Sequence, residues 1–276
     1  ALGVEALYGS LTTNYNIAIG SKAMYSTTSG SGNALGYKAL YANTTGARNL
    51  AIGYQALDAA DTESDNLAIG YDALGGAIVG GQFNIAIGNY SLDANTSGDG
   101  NTAVGYNSLT ANTTGNYNTA SGYHALASNT TGSRNTASGN YALTSNTTGV
   151  DNTASGYHAL YSNTEGNYNT ASGRAALYYN TTGSNNTTSG YYALVSNTTG
   201  VDNTASGFKA LYANTTGERN LAIGYQTLDA ADTEDDNLAI GYDALGGAIA
   251  GGEFNVAIGN YSLDANTSGD YNVGLG

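Results

Sequence analysis

The sequence predicts an all-β protein, a parallel β-solenoid (β-roll) with one coil for each seventeen-residue repeat. The first observation is the repeat itself, Asn-x-Ala-x-Gly-Tyr-x-Ala-Leu-x-x-Asn-Thr-Thr-Gly-x-x, which recurs throughout the 276 residues. The second is its length, because helical repeats need about 33 residues to hold two helices. The third is alternation, since Leu50 and Ile52 point to one side of an extended chain and Ala51 to the other.

Each repeat begins at an Asn, and its residues are numbered here as positions 1 to 17. The first Asn recurs at Asn16, Asn33, Asn49, Asn66, Asn84, Asn101, Asn118, Asn135, Asn152, Asn169, Asn186, Asn203, Asn220, Asn237, Asn255 and Asn272. The usual spacing is 17 residues, as from Asn101 to Asn118. Two spacings are longer by one residue, and one, from Asn33 to Asn49, is shorter by one. We expect 1–276 to be a single continuous solenoid, and a fragment of a longer one because both ends fall inside a repeat. Residues 49–100 return almost unchanged as 220–271, which indicates a duplicated super-repeat.

Positions 3 and 9 predict a thin, dry interior. Position 3 is nearly always Ala, with Gly two residues later, and small residues suit places where two backbones approach closely. Position 9 is nearly always Leu. The predicted core of the most regular repeats is Ala120, Leu126, Ala137, Leu143, Ala154 and Leu160. Asn-Thr-Thr-Gly then closes the coil, because Asn can bond its own backbone and Gly accepts positive φ.

Stacked coils would place equal positions in columns that run along the solenoid. The Asn of position 1 is then expected to form a structural amide ladder. Its most regular members are Asn101, Asn118, Asn135, Asn152, Asn169, Asn186 and Asn203. Position 6 predicts an aromatic column in the same way. Its members are Tyr54, Tyr71, Tyr106, Tyr123, Tyr157, Tyr191, Tyr225 and Tyr242.

Positions 2 and 4 change character along the chain. They are apolar towards both ends, at Leu50, Ile52, Leu67, Ile69, Ile85, Ile87, Leu221, Ile223, Leu238 and Ile240. Between them they carry hydroxyls, at Thr119, Ser121, Thr136, Ser138, Thr153, Ser155, Thr170 and Ser172. A thin single coil has no reason to expose the apolar set, so that face is either a second interior or a self-association face. We favour association with identical chains, as a trimer or a filament.

Composition excludes several classes of partner. The net charge is −14 with only 7 basic residues, so a basic footprint for nucleic acid or anionic membranes is missing. No apolar run approaches the ~20 residues of a membrane span, which argues against membrane insertion of this segment. Low aliphatic content makes disorder the alternative to a solenoid, but strict periodicity argues against it. An acidic, Lys-poor, Thr- and Asn-rich surface suits an extracellular location on a cell or virion.

Two kinds of residue are candidate metal ligands. Asp58, Asp61, Glu63 and Asp65 form the densest carboxylate cluster, which returns as Asp229, Asp232, Glu234, Asp235 and Asp236. Carboxylate oxygens are the ligands of Ca²⁺, although acidic turns are often only solvated. His124 and His158 share position 7, and solvated surface histidines are the simpler interpretation. Apart from possible Ca²⁺, no cofactor is expected.

Position 12 carries Asn-x-Ser/Thr motifs, and no position carries a catalytic constellation. The possible glycosylation sites are Asn43, Asn95, Asn112, Asn129, Asn146, Asn180, Asn197, Asn214 and Asn266. We expect them in exposed turns, where an acceptor should lie, although composition alone generates some of them. No Ser–His–Asp arrangement recurs with identifiable roles, and Gly-rich 75–81 lacks the Lys of a phosphate-binding loop. An enzyme is not expected.

The segments NLAIGYQAL, NIAIGNYSL and NTAVGYNSL resemble the head repeats of YadA-like trimeric autotransporter adhesins. They are also similar to Asn-x-Ala-x-Gly repeats of phage tail fibres. The resemblance implies a left-handed, commonly trimeric β-roll on an extracellular stalk that attaches to a surface. We therefore expect a structural or adhesive module that associates with identical chains and meets a surface or glycan receptor. The alternative is an ice- or carbohydrate-binding solenoid that uses the Thr/Ser positions.

Overall fold

The chain is an all-β protein of tandem coils, one for each sequence repeat, in a computed structural model that describes residues 1–9, 12, 15–247 and 251–276. The described residues contain no helix. The parallel β-solenoid predicted from the repeat is therefore confirmed. The chain divides into two compact units, Ala1–Ala137 and Ser138–Gly276, and each is a solenoid in its own right. A single continuous domain and a left-handed coil stay predictions.

Every strand is short and falls at the start of a repeat. The first unit holds β1 (Ile17–Ile19), β2 (Gly32–Leu35), β3 (Asn49–Ile52), β4 (Leu67–Ile69), β5 (Ile85–Ile87), β6 (Thr102–Val104) and β7 (Thr119–Ser121). β8 (Thr136–Ser138) spans the boundary between the units. The second unit holds β9 (Thr153–Ser155), β10 (Thr170–Ser172), β11 (Thr187–Ser189), β12 (Thr204–Ser206), β13 (Leu221–Ile223), β14 (Leu238–Ile240), β15 (Val256–Ile258) and β16 (Val273–Leu275).

The strands pair in parallel and in chain order, with equal repeat positions side by side. In the first unit the strands from β1 to β7 pair successively, each with its neighbour in that series. In the second unit the same holds from β9 to β16. Ala103 lies beside Ala120, for example, and Thr170 beside Thr187. One turn of the solenoid is thus one sequence repeat.

Backbone hydrogen bonds between coils continue well beyond these short strands. The N–H of Leu109 donates to the carbonyl of Ala125 at 3.0 Å, and the N–H of Thr113 donates to Thr130 at 2.9 Å. At position 17, the N–H of Tyr117 donates back to the carbonyl of Asp99 in the preceding coil at 2.9 Å. Each coil is therefore bonded to its neighbours around most of its circumference, which satisfies backbone groups that short strands would leave unpaired.

The interior is narrow and contains one Leu and two small residues per coil. The six core residues predicted from positions 3 and 9 are all buried: Ala120, Leu126, Ala137, Leu143, Ala154 and Leu160. Position 8, which the sequence analysis left out of the core, is equally buried, as at Ala125 and Ala142. The residue before each position 9 side chain is Ala, Ser or Thr, and this small size keeps the two walls of the coil close together.

The turn from position 5 to position 9 is tight and uses left-handed backbone. Gly105 has φ 138°, and a Cβ there would lie 2.4 Å from the carbonyl oxygen of Gly122 in the next coil. Leu109 at position 9 has φ 50°, a conformation that costs a non-Gly residue about 1–2 kcal/mol. Full burial of a Leu side chain contributes about 1.5–3 kcal/mol, which offsets this strain. Packing of the Leu side chain therefore stabilises this turn.

One repeat is shifted relative to the expected numbering. Gly32 lies beside Asn49, and Asn33 lies beside Leu50. Gly32 therefore occupies position 1, and its N–H donates to the Asn16 Oδ1 at 2.7 Å. Asn33 is exposed at position 2, so its assignment as a repeat start was wrong. The shortened repeat therefore begins at Asn16 and ends at Ser31.

Candidate functional site

The Asn side chains of position 1 form a buried column, the first amide ladder, which ties each coil to the next. The Asn118 Oδ1 accepts the backbone N–H of Asn135 at 3.0 Å, and the Asn118 N–H donates to the Asn101 Oδ1 at 2.9 Å. The Asn118 Nδ2 donates to the carbonyl of Gly132 in its own coil at 2.8 Å. In the second unit the N–H of Asn186 donates to Asn169 in the same way, at 3.0 Å.

All seven ladder residues named from the sequence are fully buried, namely Asn101, Asn118, Asn135, Asn152, Asn169, Asn186 and Asn203. The bonding differs from a simple stack of amides. In this ladder the shorter contact between coils runs from a backbone N–H to a side-chain oxygen, 2.9 Å from Asn118 to Asn101, whereas the amide-to-amide distance between the same residues is 3.2 Å. Asn suits this position because it offers a donor to one coil segment and an acceptor to another.

The Asn side chains of position 12 form a second amide ladder. The Asn129 Nδ2 donates to the Asn112 Oδ1 at 2.8 Å and to the Gly132 carbonyl at 2.9 Å. In the second unit the Asn180 Nδ2 donates to the Asn163 Oδ1, also at 2.8 Å. These are direct amide-to-amide bonds between coils.

The expectation that the position 12 motifs are exposed glycan acceptors is wrong for the folded chain. Eight of these Asn side chains are buried or hydrogen-bonded inside the coil: Asn43, Asn95, Asn112, Asn129, Asn146, Asn180, Asn197 and Asn214. Asn266 is half-buried. The sequence held a signal for the ladder at Asn163, where Glu165 breaks the acceptor motif but the Asn remains.

The second amide ladder stops where Ala replaces Asn. Ala60 and Ala231 stand at position 12, and the Oδ1 atoms of Asn43 and Asn214 in the preceding coils have no hydrogen-bond partner among the described residues. Nearby, a Glu takes over the task of bonding the turn. The Glu63 carboxylate is 3 % exposed and accepts N–H groups of Asp61, Thr62 and Gly80 at 2.9–3.0 Å. Three backbone donors satisfy this buried charge.

The other carboxylates of the expected Ca²⁺ cluster bind separate partners. Asp58 accepts the Gln55 amide at 3.0 Å, and Asp61 accepts the hydroxyl of Thr44. Asp65 pairs with the guanidinium of Arg48 at 2.5 Å, which lowers the pKa of that carboxyl. The copies Asp229, Asp232, Glu234, Asp235 and Asp236 repeat the pattern. Among the described residues no group of three or more possible ligands could hold a metal ion.

A third column, the acidic column, consists of Asp58, Asp72 and Asp93 on three successive coils. Burial raises the pKa of all three carboxyls, and mutual repulsion adds to the effect at Asp72 and Asp93. No described cation neutralises the group as a whole, although Lys38 offsets part of the shift at Asp58. In the second unit burial, with repulsion from Asp243, raises the pKa of Asp229.

Aromatic side chains of positions 6 and 7 form the aromatic column on the outside of each unit. Ring centroids of Tyr37 and Tyr54 are 5.1 Å apart, and those of Tyr54 and Tyr71 are 5.0 Å apart. Where Asn89 interrupts position 6, Tyr90 of position 7 fills the column edge-on, 5.3 Å from Tyr71. The expected residues Tyr54, Tyr71, Tyr106, Tyr123, Tyr157, Tyr191, Tyr225 and Tyr242 all belong to it and are about 40 % exposed.

Both histidines belong to aromatic clusters. The rings of Tyr123 and His124 lie 4.3 Å apart, and those of Tyr157 and His158 lie 4.0 Å apart and stacked. Burial lowers the pKa of His158, and the charge of Arg174 lowers it further. The neutral form of His158 is therefore favoured at physiological pH.

Positions 2 and 4 lie on the outer side of the strands in both units. The apolar set is half-buried or exposed there, as the 36 % exposure of Ile85 and 39 % of Ile223 show. The alternative of a second interior is therefore wrong, because this face is open to solvent. The hydroxyl set, Thr119, Ser121, Thr136, Ser138, Thr153, Ser155, Thr170 and Ser172, is exposed throughout.

Replacing Asn163 by Ala should lower the free energy of unfolding by about 2–5 kcal/mol, because buried groups lose bonds worth about 1–3 kcal/mol each. The partners left behind are the Asn146 Oδ1, the Gly166 carbonyl and the Asn180 Nδ2. Urea unfolding followed by circular dichroism measures the change. The control is Asn266→Ala, which removes bonds only to Gly269. Equal losses in the two variants would contradict a structural role for the second amide ladder.

Replacing Asp93 by Asn should stabilise the protein at pH 7. A carboxyl whose pKa is raised on folding favours the folded state less as the pH rises through that folded pKa. The gain over the parent should therefore shrink as the pH falls towards about 4, the unfolded pKa of Asp. Thermal unfolding at several pH values measures it. Asp65→Asn should have the opposite sign at pH 7, because Arg48 lowers the pKa of that carboxyl. A lower midpoint for Asp93→Asn at pH 7 would refute the assignment.

No helix in the described part of the chain is long and apolar enough to cross a membrane. Comparisons of the chain with protein-family models, with curated proteins and with solved structures found no match. In the described part of the chain, the outer strand face and the aromatic column are two surfaces that are open to a partner.

Proposed function

We propose that the chain is a non-enzymatic structural and adhesive module of an extracellular fibre, stalk or filament on a cell or virion surface. The observation that carries this proposal is the apolar outer strand face, repeated on a scaffold whose buried Asn side chains are committed to holding coils together. The resemblance of NLAIGYQAL to autotransporter adhesin heads and phage tail fibres supports the same role.

Stiffness follows from the way the coils are joined. Within each unit the coils bond to one another through backbone groups and the first amide ladder, and the second amide ladder adds to this where position 12 is Asn, as at Asn129. Bending the solenoid would lengthen buried hydrogen bonds on one side, and a buried polar group that loses its partner costs about 1–3 kcal/mol. A module of this kind resists bending, so it can act as a rigid spacer.

The partner that best fits the apolar face is a second copy of the same chain. The face includes Leu50, Ile52, Leu67 and Ile69 in the first unit, and its duplicate in 220–271 carries the same pattern. Two near-identical apolar surfaces on one chain give each copy two equivalent attachment points, so weak contacts multiply. The net charge of −14 disfavours nucleic acid and anionic membranes as partners.

Placing charge on this face should separate the copies. We expect the parent to sediment as an oligomer at micromolar concentration and Ile52→Lys with Ile69→Lys to sediment as a smaller species. The control is Thr119→Lys with Ser121→Lys, which adds the same charge to the hydroxyl part of the outer face. Sedimentation velocity measures the change, with circular dichroism to verify folding. A monomeric parent, or equal effects in both variants, would overturn self-association through the apolar face.

A second candidate function rests on the hydroxyl set. Thr153 and Thr170 are register partners, as are Ser155 and Ser172, so two files of exposed hydroxyls repeat at the strand spacing of about 4.8 Å. Regular hydroxyl files of this kind suit ice or carbohydrate. In a purely structural module these residues only solvate the surface.

A thermal-hysteresis assay separates the two functions. For the structural module we expect no hysteresis and no faceting of ice crystals. Ice binding would replace the structural function if the parent showed hysteresis that Thr153→Lys with Thr170→Lys abolished. Ile52→Lys should preserve the hysteresis in that case.

A further inference from the structure

The aromatic column of the second unit is interrupted in one coil, residues 169–185, and the interruption leaves a cleft. Position 6 of this coil is Arg174 instead of an aromatic residue, and position 7 is Ala175, the only Ala at that position. The cleft has a volume of about 310 Å³. It is lined by Tyr157, His158, Arg174, Ala175, Tyr178, Tyr179, Tyr192 and Val195.

The cleft lies where a small residue stands between two aromatic ones. His158, Ala175 and Tyr192 occupy position 7 of three successive coils, so the two rings flank a methyl group. Coils spaced by about 4.8 Å place the flanking residues on backbones about 9.6 Å apart. The backbone is fixed there, because the Ala175 N–H donates to Tyr157 at 2.9 Å and the Tyr192 N–H donates to Arg174 at 3.1 Å. A ligand therefore meets a preformed gap.

The floor of the cleft is apolar and its rim is polar. Ala175 and Val195 are 5 % and 4 % exposed and form the floor. Tyr178 and Tyr179 lie edge to face at 4.6 Å on the same coil as Ala175, and Tyr179 is 55 % exposed. Tyrosine combines an apolar ring face with a hydroxyl that both donates and accepts hydrogen bonds. That combination suits a ligand with apolar C–H faces and a periphery of hydroxyls.

The rim also carries a cation without a carboxylate partner among the described residues. The Arg174 guanidinium lies 5.7 Å from the ring centre of Tyr157 and 5.6 Å from that of Tyr191, and its side chain is exposed. Arg48 and Arg219, by contrast, are paired with Asp65 and Asp236. No ion pair of Arg174 occurs within the described part of the chain. A guanidinium held between two rings is free to bind a carboxylate through two parallel hydrogen bonds.

We propose that this cleft binds an acidic saccharide, a pyranose ring that carries a carboxylate. The ring enters the gap above Ala175 and stacks its C–H face on the flanking aromatic rings. Its hydroxyls bond the tyrosines of the rim, and its carboxylate pairs with Arg174. This inference rests on the proposed adhesive function and specifies the receptor as an anionic glycan.

Methyl β-D-glucuronide and its neutral counterpart, methyl β-D-glucoside, are the probes for a titration of the full chain followed by NMR. The parent should bind the glucuronide about tenfold more tightly than the glucoside, because a charge-assisted pair contributes about that factor. Arg174→Gln should remove this preference. Ala175→Tyr should abolish binding of both sugars by filling the gap. Tyr at position 7 is already accommodated at the same backbone angle, φ 56° at Tyr192 and 55° at Ala175, so this variant should fold.

Lys209→Gln is the matched control. It removes a cation 4.8 Å from the ring centre of Tyr212, in the same unit, and neither residue lines the cleft. Its affinity for both sugars should equal that of the parent. No binding of the glucuronide to the parent, or unchanged binding to Ala175→Tyr, would overturn the proposal. Tighter binding of benzoate than of the glucuronide would also overturn it, in favour of an aromatic acid. Sedimentation velocity of Ala175→Tyr tests the proposed function separately from sugar binding. Ala175 is outside the outer strand face, so this variant should still associate as the parent does when it binds no sugar.

Discussion

The bonding of each coil to the next is the constraint on which every other feature depends. A coil this short has almost no interior of its own, since one Leu and two small residues fill it. The hydrophobic contribution of a single coil is therefore small, and backbone polar groups around the whole turn need partners outside the coil. The neighbouring coil supplies them, through backbone bonds and through the Asn side chains of positions 1 and 12. Once this bonding is in place, equal positions must stand side by side.

The fold and its core were predictable from the sequence because periodicity reports the register directly. Ala at position 3 and Leu at position 9 recur with one spacing, and a column of identical apolar residues has few destinations other than the inside of a coil. The apolar outer face was also visible in Leu50 and Ile52. What periodicity alone left open was the direction of that face, since alternation says only that two sets of side chains point oppositely.

Other features could not be predicted from the sequence, because a short motif suggests its most common function and not the one it has in this fold. Asn129-Thr130-Thr131 matches a glycan acceptor and an exposed turn, yet here the Asn bonds inside the coil and the motif is a by-product. The sequence predicts Glu63 only as one of several acidic metal ligands. The backbone N–H groups that it accepts show that it holds a turn, in the coil where Ala60 replaces the Asn of position 12. The start of the repeat after the shortened one was assigned wrongly because an Asn, Asn33, directly follows the true start at Gly32. The cleft at Ala175 has no motif at all in the sequence, because a single Ala in place of bulky residues resembles ordinary variation.

Equal register between neighbours also bears on how such a chain changes length. Every interface within a unit joins the same positions of two coils, for example Thr170 with Thr187 and Thr187 with Thr204. Removing one whole repeat brings together two coils that already present matching donors and acceptors, so stability changes by roughly one coil and one interface. Recombination between repeats of one gene can therefore shorten or extend the solenoid in steps of a single coil without damaging the fold. Single extra residues are absorbed within a coil, because the repeat from Asn66 to Asn84 is longer by one and still keeps its first-ladder bond at 2.9 Å.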